Sequence, residues 1–225
     1  LDARFRDRNK AGQLLAAQLS PYANRLEVLV LGLPRGGVPV AAQVAKALHV
    51  PMDICLVRKL GVPGHEELAM GAIASGGVRV LNDDVVSRFH ISRQTIEEVT
   101  ACELQELQRR DRVYRGDRPP LTVRDRTIIL IDDGLATGST MRAAISAIQE
   151  QGPQQIVVAV PVAAPDICQE IQKIVDRVVC IKISEPLYAI GCWYKNFAQT
   201  TDTQVCELLH QNFADCSSTS EVDEV

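Results

Sequence analysis

No stretch of this 225-residue sequence approaches the roughly eighteen uninterrupted apolar residues that a membrane-spanning helix requires. The beginning of the chain, Leu1 to Lys10, lacks the apolar core of a targeting leader and is charged from the start. A soluble, cytoplasmic protein with no membrane partner is the expectation. Basic residues are not in surplus either. With 24 Lys and Arg against 28 Asp and Glu, the formal charge is −4, which argues against a general nucleic-acid binder, because backbone affinity comes from excess cations. A small anionic ligand stays open, since it needs only a local nest of donors. Cysteine is present but unpatterned: Cys55, Cys102, Cys168, Cys180, Cys192, Cys206 and Cys216 show no C-x-x-C and no zinc-type spacing with His. Reduced, mostly buried thiols are expected, not a disulfide framework. No internal repeat and no Pro/Gly/Ser linker divides the chain. Residues 1–213 therefore read as a single domain, and 214–225, polar and acidic, as a disordered tail.

Against those absences stands one strong rhythm. Strand-like runs at Glu27 to Leu33, Asp53 to Val57, Thr127 to Ile131, Ile156 to Val160 and Arg177 to Ile183 are nearly continuous in aliphatic residues, as parallel strands covered on both faces are. Helical stripes lie between them: Val40, Ala41, Val44, Ala45 and Leu48; Met141, Ala144, Ile145 and Ile148; and Ile167, Ile171 and Ile174 behind Pro165 at a first helical position. The alternation predicts an α/β fold, an open and mainly parallel β-sheet flanked by helices, with ligands beyond the carboxyl ends of the strands. Two stretches interrupt it. Ser92 to Arg112 predicts a long helix capped by Ser92, with Arg109, Arg110 and Arg112 favoured as a solvated helix end over a phosphate contact. Gly61 to Gly77 reads as a long mobile loop running into a short hairpin, Ala72 to Leu81.

The chemistry concentrates in TIILIDDGLATGSTMRAAI, Thr127 to Ile145. A buried strand ends on two adjacent acids, Asp132 and Asp133, and a short loop then enters an amphipathic helix. Gly134 and Gly138 let the backbone turn closely about a ligand, so that the amides of Gly134 to Thr140, Leu135 and Ala136 included, can converge on one anion. Thr137, Ser139 and Thr140 add hydroxyls, and the helix start adds its positive end. The acids cannot serve that phosphate. They suit neighbouring hydroxyls of a sugar and, through water, a magnesium ion. No G-x-x-x-x-G-K-[ST] and no G-x-G-x-x-G after the first strand supports the other common nucleotide sites.

IILIDDGLATGST resembles the phosphoribosyl pyrophosphate signature of type I phosphoribosyltransferases, and GLPRGGVPVA (Gly32 to Ala41) is similar to their pyrophosphate loop. VRKLGVPGHEELAMGAI (Val57 to Ile73) resembles the Arg-Lys pair and mobile catalytic loop of adenine and orotate members. The FRDR start (Phe5 to Arg8) and RRDRVYRGDRP (Arg109 to Pro119) resemble bacterial members of unassigned acceptor. The resemblance implies a small hood over the sheet, a homodimer, and 5-phosphoribosyl-1-pyrophosphate with magnesium as substrate and cofactor. It implies that Arg35, Gly36 and Gly37 hold pyrophosphate, with a cis Pro34–Arg35 bond, and that Lys59 does the same. Arg58 either joins them or points into a subunit contact. His65 is either a donor to pyrophosphate or a solvated loop histidine. Ala136 stands where hypoxanthine-guanine members carry an aspartate, which makes a 6-oxopurine the less expected acceptor. Aromatic residues are only 4% of the chain, yet Tyr188, Trp193, Tyr194 and Phe197 fall within ten positions. They could stack an acceptor base or fill a core or dimer seam. A phosphoribosyltransferase is the leading expectation, and a non-catalytic sensor of the same ligand the alternative.

Overall fold

Continuous aliphatic strands are stable only between two covering layers, and the chain places them there. In the computed structural model, which describes residues 4–120 and 122–220, the order is α1 (Arg8–Gln18), β1 (Val28–Gly32), α2 (Gly37–Leu48), β2 (Met52–Ile54), β3 (Val57–Val62), β4 (His65–Ala74), β5 (Arg79–Leu81), α3 (Asp83–Arg88), α4 (Arg93–Arg115), β6 (Thr127–Ile131), α5 (Ser139–Gln149), β7 (Gln155–Ala163), α6 (Pro165–Gln172), β8 (Arg177–Ile183) and α7 (Asp202–Ser220). Five strands form one parallel sheet in the order β2-β1-β6-β7-β8. Alternate residues of its central strands enter separate cores. Val28, Val30, Ile129 and Ile131 pack toward α1, α2, α4 and α7; Leu29, Leu31, Ile128 and Leu130 pack toward α5 and α6.

This topology decides where a ligand fits. From β1 the chain steps outward through α2 to β2, whereas from β6 it steps the other way through α5 to β7. β1 and β6 are neighbours, with Val28 opposite Thr127 and Gly32 opposite Ile131. Their following loops diverge, and the crevice opens between their carboxyl ends. Residues 184–201 supply the expected hood, with a cis Glu185–Pro186 bond and a 3₁₀ turn at Ile190–Trp193.

Three expectations change. The region read as a long mobile loop is an antiparallel sheet, β3-β4-β5: Val62 pairs with His65 across a tight turn at Pro63–Gly64, and the glycines that suggested a loop sit at its turns and a strand bulge. The charges of the 65–67 segment hid its alternation. The run Asp53 to Val57 is not one strand, since β2 ends at Ile54 and Val57 opens the second sheet. α7 runs from Asp202 to Ser220, with Val205 and Leu209 in the core; residues 221–225 of the tail expected to be disordered lie outside the described residues. Finally, the thiols are not mostly buried: Cys55 and Cys168 are, but Cys102 and Cys192 are exposed. Burial pushes the Cys55 thiol up to about 12, which makes it inert. No helix among the described residues is long and apolar enough to cross a membrane.

α4 begins as its sequence predicts, with the Thr95 N–H donating to Ser92 Oγ at 3.0 Å. Its far end is tied to β2 by charge. Arg115, 6% exposed, puts Nε 3.1 Å from Asp53 Oδ1, donates Nη2 to Ile54 O at 2.7 Å and pairs with Asp111. Removing one partner from such a pair strands a buried charge. Arg115→Ala should cost about 3–5 kcal/mol in urea unfolding, and Asp53→Asn in the same chain should recover a large part of it. Additive losses in the double variant would refute the coupling.

Candidate functional site

Asp132 and Asp133 follow the last residue of β6, so the sheet itself carries them to the crevice. Asp132 Oδ1 accepts from the Asp133 N–H at 2.8 Å. Desolvation, joined by the neighbouring Asp133 charge, holds the Asp132 carboxyl well above its ordinary value. Desolvation raises Asp133 too, against the pull of Arg8. Arg8, at the start of α1, places Nε and Nη2 each 2.8 Å from Asp133 Oδ2. It donates Nη1 to Ala198 O at 2.7 Å, and its guanidinium lies 3.8 Å from the centre of the Phe197 ring. Three elements thus fix one carboxylate.

The loop beyond the acids is anchored at one residue and open at the next. Leu135 is buried, its N–H donating to Val162 O at 2.9 Å and its carbonyl accepting from the Ala164 N–H at 3.3 Å. The N–H groups of Ala136, Thr137 and Gly138 have no acceptor among the described residues. Gly138, at φ 68°, is in the left-handed conformation that favours glycine, and no side chain caps α5 behind it. Arg142 holds the loop from below, donating Nη2 to Thr137 O and Nη1 to Glu170 Oε2, each at 2.7 Å. Thr137 Oγ1 and Ser139 Oγ are 3.1 Å apart. Unpaired amides at an uncapped helix start, with hydroxyls beside them, can take an anion. On the other flank a Cβ at Gly134 would lie 2.6 Å from Ile190 of the hood, so the loop and hood are in contact.

The first-strand loop meets these acids directly. Its Pro34–Arg35 bond is cis, as expected, and Gly36 lies so close that a Cβ there would collide with the Asp133 carboxylate. The Gly37 N–H already donates to Leu33 O at 3.0 Å, so of the predicted pyrophosphate donors this one is engaged. Arg35 reaches outward, with Nη1 3.5 Å from Asp202 Oδ1. Arg58 turns to α4, its Nε 2.6 Å from Glu103 Oε2. Lys59, the next residue of β3, lines a cleft of about 810 Å³ together with Arg58, Pro34, Thr137, Ser139, Thr140 and the α4 residues Val99, Cys102, Glu103 and Arg110. His65 is exposed, is not among the residues lining that cleft, and has its ring 5.9 Å from that of Phe89.

The aromatic cluster divides. Tyr194 is 4% exposed, with its ring centroid 5.4 Å from Phe5 and 4.9 Å from Phe197. Its hydroxyl donates to Asp133 O at 2.6 Å, and desolvation pushes the phenol pKa up, keeping it a donor. Tyr194 and Phe197 therefore brace the acid loop, and Tyr194 is too enclosed to stack a base. Trp193 is part-buried and Tyr188 is 88% exposed. Sequence reasoning missed Arg8 as a site residue. Its only signal was the FRDR string, because 125 positions separate it from Asp133.

A parallel sheet with helices on both faces and a switch-point crevice at the ends of β1 and β6 defines an α/β protein of the doubly wound class. More narrowly, the chain belongs to the phosphoribosyl transferase domain family, whose domain matches residues 6–192. It is 46% identical over 219 residues, 95% of its length, to a Mycobacterium tuberculosis protein named, provisionally, as a phosphoribosyl transferase. The same match recurs in a second strain of that organism. The chain spans about half, 49%, of the length of these curated relatives. A Thermus thermophilus protein of known crystal structure is 40% identical and superposes with a TM-score of 0.84 over 92% of this chain and 98% of its own.

Because burial and the like charge of Asp133 disfavour the charged form of Asp132, removing its ionisable carboxyl should relieve the folded state. Asp132→Asn keeps the acceptor for the Asp133 N–H and should raise stability at neutral pH. The folded value is raised, so the wild type holds this stability below the ordinary carboxylate range and loses it as pH climbs through the raised value. The gap between the proteins should accordingly close toward low pH in ligand-free thermal unfolding. A gap independent of pH would exclude the Asp132 charge as its source.

Proposed function

We propose that the chain transfers the phosphoribosyl group of 5-phosphoribosyl-1-pyrophosphate to a nitrogenous base and releases pyrophosphate, as a homodimeric cytoplasmic enzyme. The observation that carries the reading is the pair of acids at the end of β6 followed, after Gly134 and Leu135, by three main-chain N–H groups without an acceptor among the described residues, at a helix whose cap residue is a glycine, in a chain of this family. The amides of 136–138 with Thr137, Ser139 and Thr140 suit the 5-phosphate, and Asp132 and Asp133 suit the ribose hydroxyls.

In that reaction the bond from the anomeric carbon to pyrophosphate breaks, its electron pair leaves with pyrophosphate, and the acceptor nitrogen attacks the opposite face. The carboxylates favour positive character on the ribose, and the cations Lys59, Arg58 and Arg35 favour the departing anion. The latter two would have to leave Glu103 and Asp202, and exposed ion pairs of this kind are worth little, so a multiply charged ligand can displace them. The hairpin β3–β4 roofs the cleft with Gly61 and Pro63 and would exclude water as a competing nucleophile. Among the described residues no group of three or more His, Cys, Asp or Glu gathers as a metal site. Two carboxylates, one shared with Arg8, fit a hydrated magnesium that arrives with the ligand, not a resident ion. When bound, magnesium would neutralise the pyrophosphate and ease its departure. Ala136 disfavours a 6-oxopurine as the acceptor.

The test is incubation with phosphoribosyl pyrophosphate, magnesium and a panel of bases, reading pyrophosphate release. Release with at least one base is expected, whereas binding without turnover across the panel would make the chain a sensor. Asp133→Asn should weaken transfer by about 2–3 kcal/mol, the scale of a charge-assisted hydrogen bond, with the fold intact by circular dichroism. Normal turnover by that variant would displace the ribose from this site.

A further inference from the structure

The arginines late in α4 do not share one environment. Val99, Glu103, Leu107, Arg110 and Tyr114 recur at helical intervals and so fall on one face. Leu107 and Tyr114 on that face are 2% and 3% exposed, which sets Arg110 between two core side chains, while Arg109 and Arg112 are exposed to solvent. Arg110 donates Nε to Glu106 Oε1 at 2.7 Å, and neither of its terminal nitrogens has a partner among the described residues. It lines the large cleft opposite Thr137, Ser139 and Thr140, and also the small hollow that adjoins Pro34 and Thr140.

Charge in the cleft favours an anion there. Its lining has three cations, Arg58, Lys59 and Arg110, and one acid, Glu103, which pairs with Arg58, while Arg110 holds Glu106, outside the lining, through Nε alone. Arg35 is engaged with Asp202, outside the cleft lining. A guanidinium with both terminal nitrogens uncommitted, in a cleft that Pro34 of the first-strand loop and the cations Arg58 and Lys59 also line, is suited to phosphate oxygens. We propose that Arg110 is a ligand-binding residue that contacts the pyrophosphate end of the sugar ligand from α4. This rests on the reading that the loop at 136–140 holds the 5-phosphate end.

Comparing two ligands isolates the claim, because ribose 5-phosphate has the sugar and the 5-phosphate but no pyrophosphate. Calorimetric titrations with each, in magnesium, would use the wild type, Arg110→Ala, Arg110→Lys and the exposed control Arg109→Ala. Arg110→Ala should weaken phosphoribosyl pyrophosphate about tenfold or more and change ribose 5-phosphate by less than about twofold. Arg110→Lys should recover part of the loss, and Arg109→Ala should bind both ligands as the wild type does. Undiminished binding of phosphoribosyl pyrophosphate by Arg110→Ala overturns the inference, as does an equal loss for both ligands in a variant whose circular dichroism is native. If the wild type bound neither ligand, the sugar-phosphate reading itself would fall, a result visible before any variant is compared.

Discussion

Two adjacent carboxylates held at the end of a buried strand repel each other and resist desolvation, and much of the surrounding structure is arranged to keep them there. The compensation is Arg8, which gives Asp133 two donors and leaves Asp132 with only a main-chain amide. Arg8 is fixed in turn by the Ala198 carbonyl and the face of Phe197, and Tyr194 braces the Asp133 carbonyl from the same segment. The start of the chain and the hood therefore stabilise the crevice together, although neither belongs to the sheet. Asp7 adds to this by capping α1, its carboxylate accepting from the Lys10 N–H at 2.8 Å one residue before Arg8 opens the helix.

The other cations show a contrasting pattern. Arg115 is enclosed and tied to Asp53, Asp111 and a carbonyl, a network whose loss would strand charge in the core. Arg35 and Arg58 instead make one contact each with a carboxylate near the surface. Pairs of that kind contribute at most about 1 kcal/mol, so they hold a side chain without committing it. The division follows burial: the enclosed ion pair joins helix to sheet, and the partly solvated ones surround the cleft, where a ligand of higher charge can compete for them.

The parts of the fold that were legible in the sequence are those with a local repeat. Thr127 to Ile131 and Arg177 to Ile183 are strands over the expected residues, Pro165 opens α6, and Ser92 caps α4. The loop at 132–140 was legible for a related reason, since acids, glycines and hydroxyls crowd into one short span. The expected hairpin at Ala72 to Leu81 is present as β4–β5, but the preceding one, β3–β4, was not legible, because its glycines mark turns and a bulge in strands as readily as a loop, and only pairing of Val62 with His65 distinguishes the two. The aromatic cluster was ambiguous for lack of a period. Burial turned Tyr194 into a brace and left Tyr188 in solvent.

The sequence by itself determined most of the parallel strands, the helices between them and the chemistry of the acid loop, since backbone geometry imposes periods of two and 3.6 residues that side-chain order must follow. Only the tertiary structure decided which distant groups meet there. Arg8 joins Asp133 across 125 positions, Gly36 approaches the same carboxylate from the loop after β1, and Arg110 leaves its exposed neighbours to line the cleft. Contacts of that range are set by strand order and the packing of whole helices, neither of which leaves a mark in the local order of residues.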